Sequence, residues 1–114
     1  MSSKKVLVCG GTGFMGTNIA NYFEALDGYE VHITGLKRCV GGWPTERFHY
    51  IDLTARDQVD SLFKEHNFDV VVQAAANTSG SKDIIERPYL HVTDNAIMNS
   101  IILQACYDHS VGHF

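Results

Sequence analysis

Residues 10 to 16 read Gly10-Gly11-Thr12-Gly13-Phe14-Met15-Gly16, directly after the apolar run Val6-Leu7-Val8-Cys9. Three glycines spaced three apart, between a strand and a helix, suit the pyrophosphate of a dinucleotide. Gly10 permits the tight turn out of the strand, Gly13 lets backbone approach phosphate, and Gly16 lets the helix pack closely on the sheet. The unpaired N–H groups and positive dipole end at the helix start favour anions. Phe14 and Met15 bring backbone N–H groups to that point while their side chains pack, and Thr12 adds a hydroxyl. A purely structural turn is the alternative. The strand before it and the amphipathic helix after it favour the ligand.

Three further positions bear on the same ligand. At the end of the second strand, where an acid would bind an adenosine ribose, the chain has Gly35-Leu36-Lys37-Arg38. A carboxylate would repel a 2′-phosphate, whereas Lys37 and Arg38 can pair with one, so NADP is expected over NAD, with NAD still admissible. The alternative is that both cations lie on a solvated loop. Asp52-Leu53 closes the third strand, where a short acid can bond an adenine amino group and an apolar neighbour can pack on the ring; an Asp before a helix is also a common turn former. Ala74-Ala75-Ala76 ends the fourth strand with almost no side chain, which suits backbone beside a cofactor and equally suits tight helix packing.

Other chemistries find less support. The histidines at 32, 49, 66, 91, 109 and 113 show no metal-ligand spacing, so each reads as a surface or satisfied core residue and no metal is expected. Cys9, Cys39 and Cys106 have neither the number of a disulfide framework nor paired zinc spacing, which points to free thiols in a reducing cytoplasm. Trp43, beside Gly41, Gly42 and Pro44, is either a pocket rim or a loop anchor. A net charge of -4 gives no broad reason to expect nucleic acid or an anionic membrane. The start Met1-Ser2-Ser3-Lys4-Lys5 carries no apolar leader, and no run approaches a membrane span.

The elements that must position these residues follow from periodicity. The 114 residues, 45% hydrophobic and 19% charged, fit one globular domain. Strands are expected at 5–9, 29–34, 47–51 and 69–74. Helices are expected from Phe14 to about Leu26, burying Ile19, Tyr22, Phe23 and Leu26; from an N-cap at Thr54 to about His66, burying Val59, Leu62, Phe63 and His66; and from Pro88 to His109, burying Ile97, Ile101, Ile102 and Ala105. Residues 35–45 and 77–82 read as loops. The alternation predicts an α/β fold with a doubly wound parallel sheet of Rossmann type and strand order 3-2-1-4. Val70-Val71-Val72 would then form an open apolar edge, and Val111-Gly112-His113-Phe114 reads as entry into a fifth strand. A fragment of a longer enzyme is expected, with a homodimer across that edge as the alternative.

With the glycine turn, Asp52-Leu53, the stretch Asp69 to Ala76 and Thr93-Asp94-Asn95 in place, the chain resembles the extended short-chain dehydrogenase/reductases. These are the NAD(P)-dependent epimerases and dehydratases of nucleotide sugars. The resemblance implies an NAD(P)-binding domain over residues 1–114, adenine contacts at Asp52 and Leu53, and cofactor contacts at Ala74, Ala75 and Ala76. It also implies a site-shaping role for Asn95 and a nucleotide-sugar substrate for the whole enzyme. Gln73 stands where many relatives have histidine. The register of Ser100, Ile102, Ala105 and Val111 is similar to the GDP-fucose synthases. The family's Tyr-x-x-x-Lys pair has no match, since Tyr89 and Tyr107 are followed four residues later by Thr93 and Val111. No catalytic residue is therefore assigned, and a non-catalytic NADP-binding module or redox sensor is the alternative.

Overall fold

A computed structural model describes residues 3–35, 43–75 and 89–114, with the side chains of residues 89–94 outside that description. Its elements are β1 (Lys4–Cys9), α1 (Phe14–Glu24), β2 (Tyr29–Gly35), β3 (Phe48–Tyr50), α2 (Arg56–Glu65), β4 (Val70–Gln73) and α3 (Tyr89–Asp108). All strand pairs are parallel and the order is β3-β2-β1-β4, as expected from the alternation of strand and helix.

β1 occupies the centre, and its sequence explains why. Val6, Leu7, Val8 and Cys9 are all fully buried, so both faces of the strand are covered and strict polar alternation is not needed. Val6 and Val8 pack with Val31, Ile33 and Ala20 on the α1 side. Leu7 and Cys9 pack with Val59, Leu62, Phe63, Ile102 and Cys106 on the side of α2 and α3. Helices thus cover both faces, which is the doubly wound Rossmann-type arrangement.

Several boundaries differ from those read in the sequence. α1 ends at Glu24, ahead of Gly28 with its φ of +90°. Its covered face is Gly16, Ile19, Ala20 and Phe23, leaving Tyr22 65% and Leu26 38% exposed, because Tyr22 lies off that stripe and Leu26 beyond the helix. The N-cap of α2 is Ala55 rather than Thr54, since Thr54 gives its N–H and hydroxyl to Asp52 Oδ1 at 2.9 and 2.7 Å. That local turn competes with the capping geometry. On α3 the inward position is Met98, 8% exposed, while Ile97 is 42% exposed. His66 follows α2 as its C-cap. The edge of β4 is partly covered: Val71 N–H donates to the His113 carbonyl at 2.9 Å, and His113 N–H to the Asp69 carbonyl at 3.1 Å. The reading of residues 111–114 as strand entry thus has a physical counterpart.

Trp43 packs against the β1–β2 cluster with the Arg47 guanidinium 5.4 Å from its ring, so it anchors the connection into β3. Arg47 also holds both carboxylate oxygens of Glu24, at 2.8 and 3.0 Å, and the Val31 carbonyl at 2.9 Å. No helix among the described residues is long and apolar enough to cross a membrane.

Burial, reinforced by the proximity of Cys106, pushes the Cys9 thiol up to about 12, and burial alone pushes Cys106 up to about 11. A buried thiol with so little thiolate is a poor nucleophile. Iodoacetamide at pH 8 is expected to leave Cys9 and Cys106 unmodified in the native protein and to alkylate both after unfolding in guanidinium, as read by peptide mass mapping. Rapid native labelling of Cys9 would contradict the packing described.

Candidate functional site

The glycine turn sits at the C-terminal ends of the strands, at the point where the strand order reverses between β2-β1 and β4. Gly10 adopts φ +77°, and a Cβ there would fall 2.6 Å from the Ala75 Cα. Only glycine satisfies both conditions. A Cβ on Gly16 would lie 2.0 Å from the Gly10 carbonyl oxygen, so the first turn of α1 rests directly on the strand exit. Gly11, which the spacing argument left without a task, is equally constrained: a Cβ would meet Ile33 Cβ at 2.4 Å.

Gly13 differs from these. Its φ of −79° suits any residue, and a Cβ would come no nearer than 3.5 Å to the Gly10 carbonyl. The protein's own packing does not require glycine here. Gly13 is also the N-cap of α1, makes no side-chain cap, and is followed by a first turn without an acidic residue. The N–H groups of Phe14, Met15 and Gly16 have no intrahelical acceptor and form a concentrated positive end. The Phe14 and Met15 side chains are 86% and 68% exposed, so the expectation that they pack is corrected; helix geometry turns them away from both core clusters.

Hydrogen bonds hold this loop in place. Gly10 N–H donates to Thr34 Oγ1 and Gly11 N–H to the Thr34 carbonyl, both at 3.0 Å. Thr17 Oγ donates to the Gly11 carbonyl at 2.9 Å. Thr34, 1% exposed, is therefore a positioning residue that sequence spacing did not reveal. Thr12 is exposed and lies over the end of β2, where its Cγ2 would sit 2.9 Å from a Cβ on Gly35.

Neighbouring strand ends complete the rim. Asp52 is exposed just beyond β3, and its N–H is held by Gln58 Oε1 at 2.8 Å. Oδ1 takes both Thr54 bonds, from the N–H and the hydroxyl. Those bonds hold the Asp52 carboxyl below the usual carboxylate range. Leu53 is only 6% exposed and belongs to the core, so its side chain is committed to packing. Ala74 N–H bonds the Cys9 carbonyl at 3.0 Å, which brings Ala74 and Ala75 against the glycine turn.

Gln73 bridges two elements: its Oε1 accepts from Ala75 N–H and its Nε2 donates to Asn99 Oδ1, both at 3.0 Å. The departure from histidine at this position thus has a defined role, and Asn99, one turn after Asn95 on α3, is a second residue the sequence did not flag. Asn95 is partly buried on the same helix. Lys37, Arg38 and Ala76 lie outside the described residues.

One cluster was missed entirely. His32 on β2, His49 on β3 and His66 after α2 come together, with one ring nitrogen from each within 4.8 Å of the others. His32 and His49 stack at 5.2 Å between centroids, and His66 lies 4.7 and 5.1 Å from them. Taken singly, each histidine reads as a surface or satisfied core residue; His32 is indeed buried and bonded to Glu30 and His49, and what that reading lacks is the convergence of the three rings. Residues 17 and 34 positions apart in sequence meet through strand pairing and a helix return, which no local spacing displays. The legible signal was a histidine between two apolar residues, Val31-His32-Ile33, inside an expected strand.

Comparison with known proteins gives a consistent answer. Residues 6–114 match the model of the NAD dependent epimerase/dehydratase family. A UDP-glucose 4-epimerase of Drosophila melanogaster is 30% identical over all of this chain and 37% of its own length. One from Cyamopsis tetragonoloba is 29% identical over 90% of this chain and 32% of its own. The crystal structure of the Thermus thermophilus UDP-glucose 4-epimerase in complex with NAD superposes with a TM-score of 0.79 at 30% identity, covering 94% of this chain and 35% of that one. The chain therefore spans about a third of the length of the curated relatives it matches.

Gly16→Ala is expected to destabilise the fold by about 2–3 kcal/mol, because backbone rather than a flexible side chain must move. Urea unfolding read by circular dichroism would show it as a lower midpoint at unchanged slope. A midpoint equal to wild type would contradict the close contact between α1 and the strand exit.

Proposed function

Since the chain belongs to the NAD dependent epimerase/dehydratase family, we propose that residues 1–114 form the dinucleotide-binding part of an oxidoreductive nucleotide-sugar enzyme. The observation that carries this reading is Gly13, a glycine at an uncapped helix start that neither backbone conformation nor internal packing demands. Room without a protein occupant, in front of free N–H donors, is what a phosphate requires.

In this reading the backbone of Gly10, Gly13, Phe14, Met15 and Gly16 holds the pyrophosphate, with the Thr12 hydroxyl beside it. Asp52 Oδ2 accepts from the adenine amino group. Leu53 supports that end through its backbone and the packing beneath it, not as a face for the ring. Ala74, Ala75 and Ala76 let the cofactor lie against backbone at the end of β4, and Asn95 shapes the adjoining surface. A bound nicotinamide would supply the hydride acceptor and donor for chemistry at a sugar carbon. The 114 residues contain no tyrosine with a lysine four positions later, so proton transfer at the sugar hydroxyl is not assigned to any group in them.

Lys37 and Arg38 support NADP through pairing with a 2′-phosphate, while the Thermus relative solved with NAD supports NAD. UDP-sugars are the favoured substrate class over GDP-sugars, because the curated relatives are UDP-glucose 4-epimerases.

Two measurements test this. Gly13→Asp is expected to keep its thermal midpoint within a few degrees of wild type while weakening dinucleotide binding at least about tenfold by titration calorimetry, since the new carboxylate repels phosphate. Unchanged affinity in a folded variant would remove the phosphate site from this turn. Neutralising Lys37 and Arg38 together is expected to weaken NADPH roughly tenfold and to leave NADH unchanged. Equal effects on the two would assign the cations to the solvated loop.

A further inference from the structure

We propose that His32, His49 and His66 form a binding site for a divalent transition-metal ion of the zinc class, on the face of the sheet that α2 covers. His32 and His49 come from adjacent strands on the face that α2 covers, and His66 lies in the connection that carries the chain from α2 back to the start of β4. The ring atoms converge: one nitrogen from each lies within 4.8 Å of the other two, and His32 Nδ1 is 2.9 Å from His49 Nε2. Ligands about 2.1 Å from a tetrahedral ion stand about 3.4 Å apart, so the first pair need only open slightly and His66 need close by no more than about 1.4 Å.

The arrangement around the three rings is that of a ligand set. Glu30 Oε2 lies 2.8 Å from His32 Nε2, so this nitrogen carries the proton and Nδ1 presents its lone pair to the cluster. A carboxylate that fixes the tautomer of a ligating histidine in this way is a common outer partner of metal sites. His32 Nδ1 then accepts the Nε2 proton of His49. His66, partly buried, makes ring contacts with His32, His49 and Phe68, and its nitrogens have no hydrogen-bond partner among the described residues.

An ion at the centre takes the place of the proton shared by His32 and His49. His49 loses its Nε2 proton and gains one on Nδ1, so both rings stay neutral and no net charge is removed from the protein. Burial already favours that neutral state, lowering His32 against the opposing effect of Glu30 and lowering His49 to about 4. His49 also lines a cavity of about 390 Å³ with Tyr50, Gln58, Ser61 and Glu65, which offers an entry path and room for a water at the fourth position. Such an ion would tie β2, β3 and the end of α2 together, a role independent of dinucleotide binding.

The test is titration of the tag-free, chelator-treated chain with Co²⁺ and Zn²⁺. One equivalent of Co²⁺ is expected to give visible absorption of a four-coordinate ion, displaced by Zn²⁺. Excess Zn²⁺ should raise the thermal midpoint by roughly 5–10 °C. His49→Gln and His66→Gln should each weaken binding at least tenfold, Glu30→Gln roughly tenfold, and His113→Gln not at all. Melting without metal confirms that each variant is folded. Spectra of hexaaqua cobalt alone, or equal affinity in the wild type and both His49→Gln and His66→Gln variants, would overturn the proposal and leave a stacked histidine cluster. Neither result bears on the dinucleotide site.

Discussion

The contact between the Gly16 Cα and the Gly10 carbonyl is the constraint on which the remaining architecture turns. Any side chain at residue 16 would lift the start of α1 away from the end of β1. The same contact aims the first N–H groups of α1 over the strand ends and brings the loop under Ala75. Packing and the placement of those N–H groups are thus one arrangement here, because both rest on backbone approaching backbone without intervening Cβ atoms. Of the three, Gly13 alone is released from that demand, a difference that three equally spaced glycines in a sequence do not display.

Strand order and helix placement were legible because they arise from short-range patterns. Val6 to Cys9 and Val70 to Val72 are unbroken apolar runs, and Val59, Leu62 and Phe63 mark one helical face. Phase within a face was less legible. Ile97 and Met98 are both apolar, and only the angle at which α3 meets the sheet decides that Met98 turns inward. The start of α2 was misread because Asp52 competes for Thr54. Both residues favour caps and turns, and sequence does not rank the two uses.

The site divides along the same line. The glycine turn is contiguous and could be read directly, whereas its supports could not. Thr34 reaches it across a strand pairing, and Gln73 reaches Asn99 across 26 residues. The three histidines are the extreme case, since each belongs to a different element and their common ground exists only after the sheet has formed. Spacing rules for metal ligands describe motifs within a single turn or helix, so a site assembled by register is invisible to them.

The central position of β1 has a temporal consequence. Its partner on one side, β2, follows within the next few dozen residues, but the Lys5 N–H that bonds Asp69 must wait for a residue 64 positions later. At translation speeds of 5–20 residues per second, roughly 3–13 s pass before that edge can be covered. During this interval Leu7 and Cys9 lack the layer that later seals them. A nascent chain of this design has an early, exposed and highly apolar ribbon, which gives chaperones a reason to attend its birth.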